Sequence, residues 1–127
     1  MKVYYLNPKK LNHIEDYDPQ RVEWLLKKIQ DENQWTIPLS ISTEHNLIMD
    51  GQHRRQVALR LKLAKVPCLI YSYSNVKLYS LRQECKVNTS IIIENFLQGK
   101  IYPYKTAKHE FPGTYSFEPV SLDQLRK

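Results

Sequence analysis

Ile48-Met49-Asp50-Gly51-Gln52-His53-Arg54-Arg55 is the stretch on which the reading of this chain turns. Three features follow one another there. An apolar run, Leu47 to Met49, reads as a strand. Asp50-Gly51 breaks it. Val57, Ala58 and Leu61 then recur at helical spacing and predict a helix over about His53 to Leu63. Glycine at such a junction lets the backbone turn tightly and lets a ligand approach closely. The helix that follows starts with unpaired N–H groups and the positive end of its dipole, which is where phosphate binds well. His53, Arg54 and Arg55 add donors and charge at the same place, and arginine grips phosphate in a bidentate way. Gly51, Gln52, His53 and Arg54 are therefore the candidate phosphate-binding residues. Asp50 repels anions, so it has a place only if it holds a Mg²⁺ that bridges phosphates or orients a substrate hydroxyl. The plain alternative is a hairpin-to-helix turn with solvated charges.

The surrounding sequence predicts an α+β domain. Pro38 to Ser42 alternates apolar and polar residues and forms a hairpin with Leu47–Met49 across the turn Thr43–Asn46. Upstream, Asp18 is a helix cap with Pro19 in the first helical position, and Val22, Leu25, Leu26 and Ile29 make one apolar stripe that Asn33 ends. Lys2 to Leu6 is β-prone. Downstream, Val66 to Tyr73 reads as a buried strand and Val76 to Leu81 as another. Asn88-Thr89-Ser90 caps a short helix, Ile91 to Leu97, which Gly99 stops. Lys100 to Gly113 has no clear period, and Ser121 to Lys127 is either a last helical turn or a frayed tail. The chain has 127 residues and is 42% hydrophobic, which suits one domain spanning 1–127, a short mixed sheet flanked by helices.

Composition narrows the chemistry only a little. The 19 Lys and Arg against 13 Asp and Glu give a net charge of +6, which attracts anions without naming one: nucleotides, phosphorylated metabolites and nucleic acid all qualify. Of the two cysteines, Cys68 sits in an apolar run and reads as core, and Cys85 has no partner at metal-ligand spacing. No signal-peptide core and no apolar run of about 18 residues is present, so a cytoplasmic, non-membrane protein is the expectation.

Two further groups of residues carry candidate chemistry. Lys105, Thr106, Lys108 and His109 put a hydroxyl and three potentially cationic side chains into one loop, stiffened by Pro103 and Pro112, which suits a phosphate or carboxylate; otherwise it is a solvated basic loop. Phosphoryl transfer to a hydroxyl also benefits from a carboxylate that accepts its proton, and Glu15, Asp16 and Asp18 are at hand. Asp18 is committed to its helix, whereas Glu15 lies in the loop before it. Trp35 and Thr36 form either part of a substrate wall or part of the core.

Ile48-Met49-Asp50-Gly51-Gln52-His53-Arg54, together with Val66-Pro67-Cys68-Leu69-Ile70 and the block from Asp18 to Leu39, resembles the core of the ParB/sulfiredoxin fold, over about residues 3–73. Members of that fold differ in chemistry. Sulfiredoxins carry a reactive cysteine directly after the glycine, where this chain has Gln52. ParB partition proteins carry Gly-Glu-Arg-Arg in a CTP-binding box and a downstream DNA-binding domain, for which 127 residues leave no room. The free-serine kinases carry Asp-Gly-His-His-Arg, and Asp50-Gly51-Gln52-His53-Arg54 departs from it at one position. Their Phe-Pro-Pro-Lys-Thr-Thr-Arg-His type of motif is similar to Ile101-Tyr102-Pro103-Tyr104-Lys105-Thr106-Ala107-Lys108-His109, within a loop region of about 88–113. The resemblance implies an ATP- or ADP-dependent kinase that phosphorylates the hydroxyl of free serine or a similar small amino acid. It implies Glu15 as the catalytic base and the loop of Lys105, Thr106, Lys108 and His109 around the substrate; joined to the reading of the residues, Asp50 is the second catalytic group and holds Mg²⁺, and Trp35 and Thr36 complete the substrate wall. Ala107, where the family has threonine, leaves the acceptor less defined than the reaction. The alternatives are a non-catalytic ParB-like nucleotide- or DNA-binding module, or a family member that senses a metabolite without turnover.

Overall fold

The apolar run from Val66 is the strand on which the rest is built. In the computed structural model, which describes residues 1–127, twelve helices and strands follow in chain order: β1 (Tyr4–Leu6), α1 (Pro19–Glu32), β2 (Gln34–Trp35), β3 (Leu39–Ser42), β4 (Ile48–Asp50), α2 (Gln52–Arg60), β5 (Val66–Tyr71), β6 (Lys77–Ser80), α3 (Thr89–Leu97), β7 (Ala107–Glu110), β8 (Val120–Ser121) and α4 (Leu122–Leu125). The main sheet has the order β1-β5-β3-β4. β5 runs parallel to β3 and antiparallel to β1, and β3 and β4 form the expected antiparallel hairpin. Parallel neighbours need a crossover, and α2 supplies it between β4 and β5.

The sheet is a middle layer with a core on each face. Val66 and Cys68 of β5 and Ile48 of β4 pack with Val22 and Ile29 of α1, Val57 and Ala58 of α2, and Leu122 and Leu125 of α4. Leu69 and Tyr71 of β5, with Leu47 and Met49, face the other way against Ile92 of α3, Tyr73 and Tyr102. Alternate residues of one strand thus feed opposite cores, as the two-residue period of a strand requires. Burial pushes the Cys68 thiol up to about 12, so it is an inert core residue, as its sequence context suggests.

Helix ends follow their capping residues. Asp18 Oδ1 accepts the Gln20 N–H at 2.9 Å, Pro19 opens α1, and Asn33 closes it in the left-handed region at φ 53°. Asn88 caps α3 through the Ile91 N–H at 2.8 Å, so that helix starts at Thr89, two residues earlier than its apolar spacing suggests. α2 is shorter than expected. It ends at Arg60 because Lys62 takes a left-handed conformation at φ 55°. The expected strand from Val66 stops at Tyr71, where Ser72 caps a 3-10 turn, Tyr73–Asn75.

Two pairings lie outside the sequence reading. The aperiodic stretch after Lys100 contains β7, which pairs antiparallel with β6 in a separate ribbon. Gln34–Trp35 pairs with Val120–Ser121, which delivers Leu122 and Leu125 to the core and makes the C-terminal segment a packed helical turn rather than a frayed tail.

Candidate active site

The junction between β4 and α2 is built around Gly51. Its φ of +115° is a conformation that side chains rarely adopt, and a Cβ there would lie 2.7 Å from Leu39 Cγ. The backbone therefore turns flush against the sheet. No side chain caps α2. The Arg55 N–H is the first to bond within it, to Gly51 O at 2.8 Å. The N–H groups of Gln52, His53 and Arg54 precede it and have no acceptor in the helix.

Four side chains at this junction have four different fates. Gln52 is buried and turns back, its Nε2 donating to Ile48 O at 2.9 Å, so what it presents outward is its backbone N–H. His53 accepts the Asp18 N–H on Nε2 at 3.0 Å, which places the proton of a neutral imidazole on Nδ1. Burial and the nearby Arg21 lower its pKa. Arg54 lines the cleft, and its Nη1 is buried with no protein partner. Arg55 faces elsewhere: its Nε donates to Pro8 O at 3.0 Å and ties α2 to the 3-10 turn Pro8–Lys10. The cationic cluster read from sequence is thereby reduced by one arginine, and Arg21, in the first turn of α1, takes its place.

Glu15 stands on the opposite wall. Its Oε2 accepts two backbone N–H groups, from Thr106 at 3.1 Å and Ala107 at 2.9 Å, and its Oε1 makes no hydrogen bond to the protein. Burial raises its pKa. The two N–H bonds and Arg82 oppose that rise, and Asp50 across the cleft adds to it. The cleft between the walls has a volume of about 380 Å³. It brings together Glu15, Asp50, Gly51, Gln52, His53, Arg54, Lys108 and His109 from the expected set, with Arg21, Leu25, Met49, Ala107 and Phe111 besides.

The remaining candidates lie around the cleft rather than in it. Lys105 is exposed at φ 57° and does not line it. Thr106 is fully buried: its hydroxyl donates to Pro103 O at 2.6 Å and its N–H holds Glu15, so it acts on the cleft through Glu15. His109 is in the wall, but neither ring nitrogen is open. Nε2 lies 3.0 Å from the Tyr73 hydroxyl, and Nδ1 is buried without a partner. Trp35 is a core residue whose indole N–H donates to Ile37 O at 2.7 Å. Trp35 and Thr36 line a second cavity of about 150 Å³ with Trp24 and Ile37, and Arg21, Leu25 and Arg54 border both spaces. Nothing in the sequence marked Trp24, which is 53% exposed and carries the Arg21 guanidinium over its ring at 4.4 Å.

No family model matches the sequence, and no curated protein matches it. Solved structures do. A free serine kinase in complex with AMP superimposes with a TM-score of 0.86 at 13% identity, covering 97% of this chain and 93% of that one. The chain has the fold of the free serine kinase. SbnI from Staphylococcus aureus, solved with a C-terminal truncation, matches with a TM-score of 0.86 at 12% identity over 98% of this chain and 89% of that one. A conserved hypothetical protein from Pyrococcus furiosus gives 0.85 at 13% identity over 98% and 97%. The α+β fold expected from the sequence is thus the fold observed, in the form this free serine kinase has. At 12–13% identity these likenesses establish the fold, and the chemistry has to be argued from the cleft.

Proposed function

We propose that this chain, acting as one domain, is a nucleotide-dependent phosphotransferase whose acceptor is the hydroxyl of a small amino acid, serine or a close relative. The observation that carries this reading is the opposition of the two walls. An uncapped helix N-terminus flanked by Arg54 and Arg21 faces a carboxylate with a free oxygen across one cleft. A phosphate-binding wall alone would make a receptor. A carboxylate facing it supplies the group that orients a hydroxyl and takes its proton. The fold is shared with a free serine kinase solved with AMP and with ADP, which supports a nucleotide as donor.

The phosphates would lie on the N–H groups of Gln52, His53 and Arg54, with the Arg54 guanidinium closing on them. The base would enter the side cavity and stack on Trp24. Glu15 Oε1 would receive the proton of the acceptor hydroxyl, and Lys108 would meet the acceptor carboxylate or the moving phosphoryl group. No cluster of three or more His, Cys, Asp or Glu side chains suited to a metal exists. One exposed carboxylate, Asp50, fits Mg²⁺, which keeps several waters and is commonly held by one or two carboxylates plus substrate phosphates. Such an ion would neutralise charge on the phosphates.

The test is direct detection of a phosphomonoester by mass spectrometry after incubation with serine, threonine or homoserine and ATP, ADP or CTP. Product from one such pair supports the reading. Nucleotide binding without product from any pair overturns it and leaves a nucleotide-binding module.

A further inference from the structure

β7 belongs to a ribbon separate from the main sheet, yet it carries the Ala107 N–H that holds Glu15. Something must set its position against the rest of the fold. Two side-chain hydrogen bonds tie its residues to groups outside the ribbon. One is the bond from Ala107 to Glu15, and the other is between His109 and Tyr73. Tyr73 is itself anchored. Its backbone N–H lies 3.2 and 3.3 Å from the two carboxylate oxygens of Glu44, in the turn of the same hairpin that ends at Asp50. A continuous path thus runs from the Asp50 hairpin through Glu44, Tyr73 and His109 to the strand that cradles Glu15.

The direction of the Tyr73–His109 bond follows from counting partners. The phenol has no other hydrogen-bond partner, and His109 Nδ1 has none. If Nε2–H donated to the phenol oxygen, the phenol hydrogen and the Nδ1 lone pair would both be buried and unpaired. If the phenol donates to Nε2, only Nδ1–H is left over. Each unpaired buried group is costly, so the second arrangement is preferred. Burial lowers the His109 pKa to about 4, against the opposing pull of Asp50 and of the Ala107 backbone, so the ring is neutral at neutral pH and Nε2 is free to accept. Phe111 stacks on the same imidazole at 6.2 Å and 11° and holds its plane.

We infer that Tyr73 and His109 are a positioning pair: the Tyr73 hydroxyl donates to His109 Nε2, fixes the Nδ1–H tautomer, and registers β7 so that the Ala107 N–H, with that of Thr106 just before the strand, holds Glu15 facing the phosphate wall. The catalytic consequence rests on the proposed role of Glu15, but the geometry does not. Two measurements on the free protein test it without turnover. Imidazole ¹⁵N resonances of the unaltered chain, which has four histidines, report the tautomer of each, with His109→Gln identifying its signals. A proton on Nδ1 and none on Nε2 is expected, and a proton on Nε2 overturns the pair whether or not any variant folds. The Glu15 carboxyl ¹³C resonance is then titrated in the unaltered chain and in Tyr73→Phe. Glu15 is faced by Asp50 and Arg82 as well as by the two N–H groups, and only the N–H contacts depend on β7. Tyr73→Phe is expected to raise the Glu15 titration by about 0.5 unit, a roughly threefold change in its proton affinity. Superimposable curves mean that Tyr73 does not set the cradle. Failure of the kinase assay alongside a shifted curve would reject the proposed reaction and retain the positioning pair.

Discussion

The two walls of the cleft are made in different ways. The proposed phosphate wall is one short stretch, Asp50 to Arg54, and its chemistry comes from backbone geometry: a glycine turn and the open end of a helix. The proposed acceptor wall is assembled from distant pieces. Glu15 and Thr106 are 91 residues apart in sequence and are joined by a hydrogen bond, and His109 is fixed by Tyr73, 36 residues away. Chemistry written in the backbone tolerates changes in neighbouring side chains. Chemistry assembled from distant side chains depends on each contact. The sharpest test of this difference removes the acceptor group alone. Glu15→Gln keeps an oxygen that can accept from Thr106 and Ala107, so the wall should stand, while the capacity to take a proton is lost. Turnover should fall about 10²–10⁴-fold, the range for a general base. Nucleotide affinity, read by calorimetry, should stay within about twofold, well under the 1.4 kcal/mol that makes a tenfold change. Equal losses of turnover and of nucleotide affinity would merge the two walls into one site.

Gly51→Ala is the reciprocal experiment. The new Cβ meets Leu39 Cγ at 2.7 Å, and the residue must keep a φ of +115°. Backbone strain and overpacking together should cost roughly 2–4 kcal/mol of stability, read by denaturant unfolding. Nucleotide binding should be lost in the fraction that remains folded, because relieving the clash moves the helix start away from the sheet. A variant of normal stability and affinity would show that the tight turn is not what makes the wall.

The same difference explains what the sequence disclosed. The junction is local: a strand, a glycine and a helix in succession carry their own meaning, and φ at Gly51 agrees with it. Side-chain directions within it are not local. Gln52 turns inward because Ile48 O is there to accept from it, and Arg55 turns away because Pro8 O is there, contacts set only once the tertiary fold forms. β7 was hidden for a related reason. Its inward positions are Ala107 and His109, a small residue and a polar one, so its alternation carries almost no hydrophobic signal. Trp24 was hidden because an exposed tryptophan on a helix beside an apolar stripe looks like part of that stripe. The side cavity that distinguishes it is formed by Ile37 and Thr36, beyond the end of α1. Lys105, Thr106, Lys108 and His109 read as one cationic loop, yet strand geometry and burial divide them among solvent, core and cleft.

The acceptor wall should also give the protein its acid sensitivity. His109 titrates at about 4 in the folded chain and near 6.5 when exposed. Between those values the unfolded state binds more protons, so stability rises as pH rises from 4 to 6.5 and is fully present above that. The contribution is about 3 kcal/mol at most for a shift of this size. His13 and His53 are lowered as well and act in the same sense. Glu15 acts in the opposite sense. Its raised pKa means that the folded state holds its proton longer, so its contribution falls as pH rises above 4.5. Unfolding free energies measured across this window should show a net rise, and His109→Gln should flatten it. An unchanged slope in that variant would mean that His109 is not the buried neutral group described above.

Trp24→Ala addresses the phosphate side at its outer edge. Stacking of a base on an aromatic ring is worth about 1–3 kcal/mol, so the KM for a nucleoside triphosphate should rise about tenfold. Trp24 lines the side cavity and not the main cleft, so binding of inorganic tripolyphosphate should be unaffected. Equal weakening of both ligands would place the base elsewhere and make Trp24 a support for Arg21, whose guanidinium lies 4.4 Å over its ring.

The smallest effect belongs to Lys105, and it separates a basic loop from a binding loop. Its side chain is exposed and outside the cleft lining, and its backbone is held at φ 57°, where glycine is at ease and a side chain is not. Its neighbours keep it there. Arg82 donates to Tyr104 O through Nε at 2.9 Å and Nη2 at 2.5 Å, and the Thr106 hydroxyl closes on Pro103 O. These contacts serve Thr106, whose N–H must reach Glu15, and Lys105 bears the strain of that turn. Lys105→Gly should therefore relieve strain and raise stability, by no more than about 1–2 kcal/mol, while turnover and nucleotide affinity remain within twofold, a change of about 0.4 kcal/mol or less. A large loss of turnover in this variant would show that the lysine reaches the substrate from a conformation other than the one seen, and that the acceptor wall extends further along its loop than the strand.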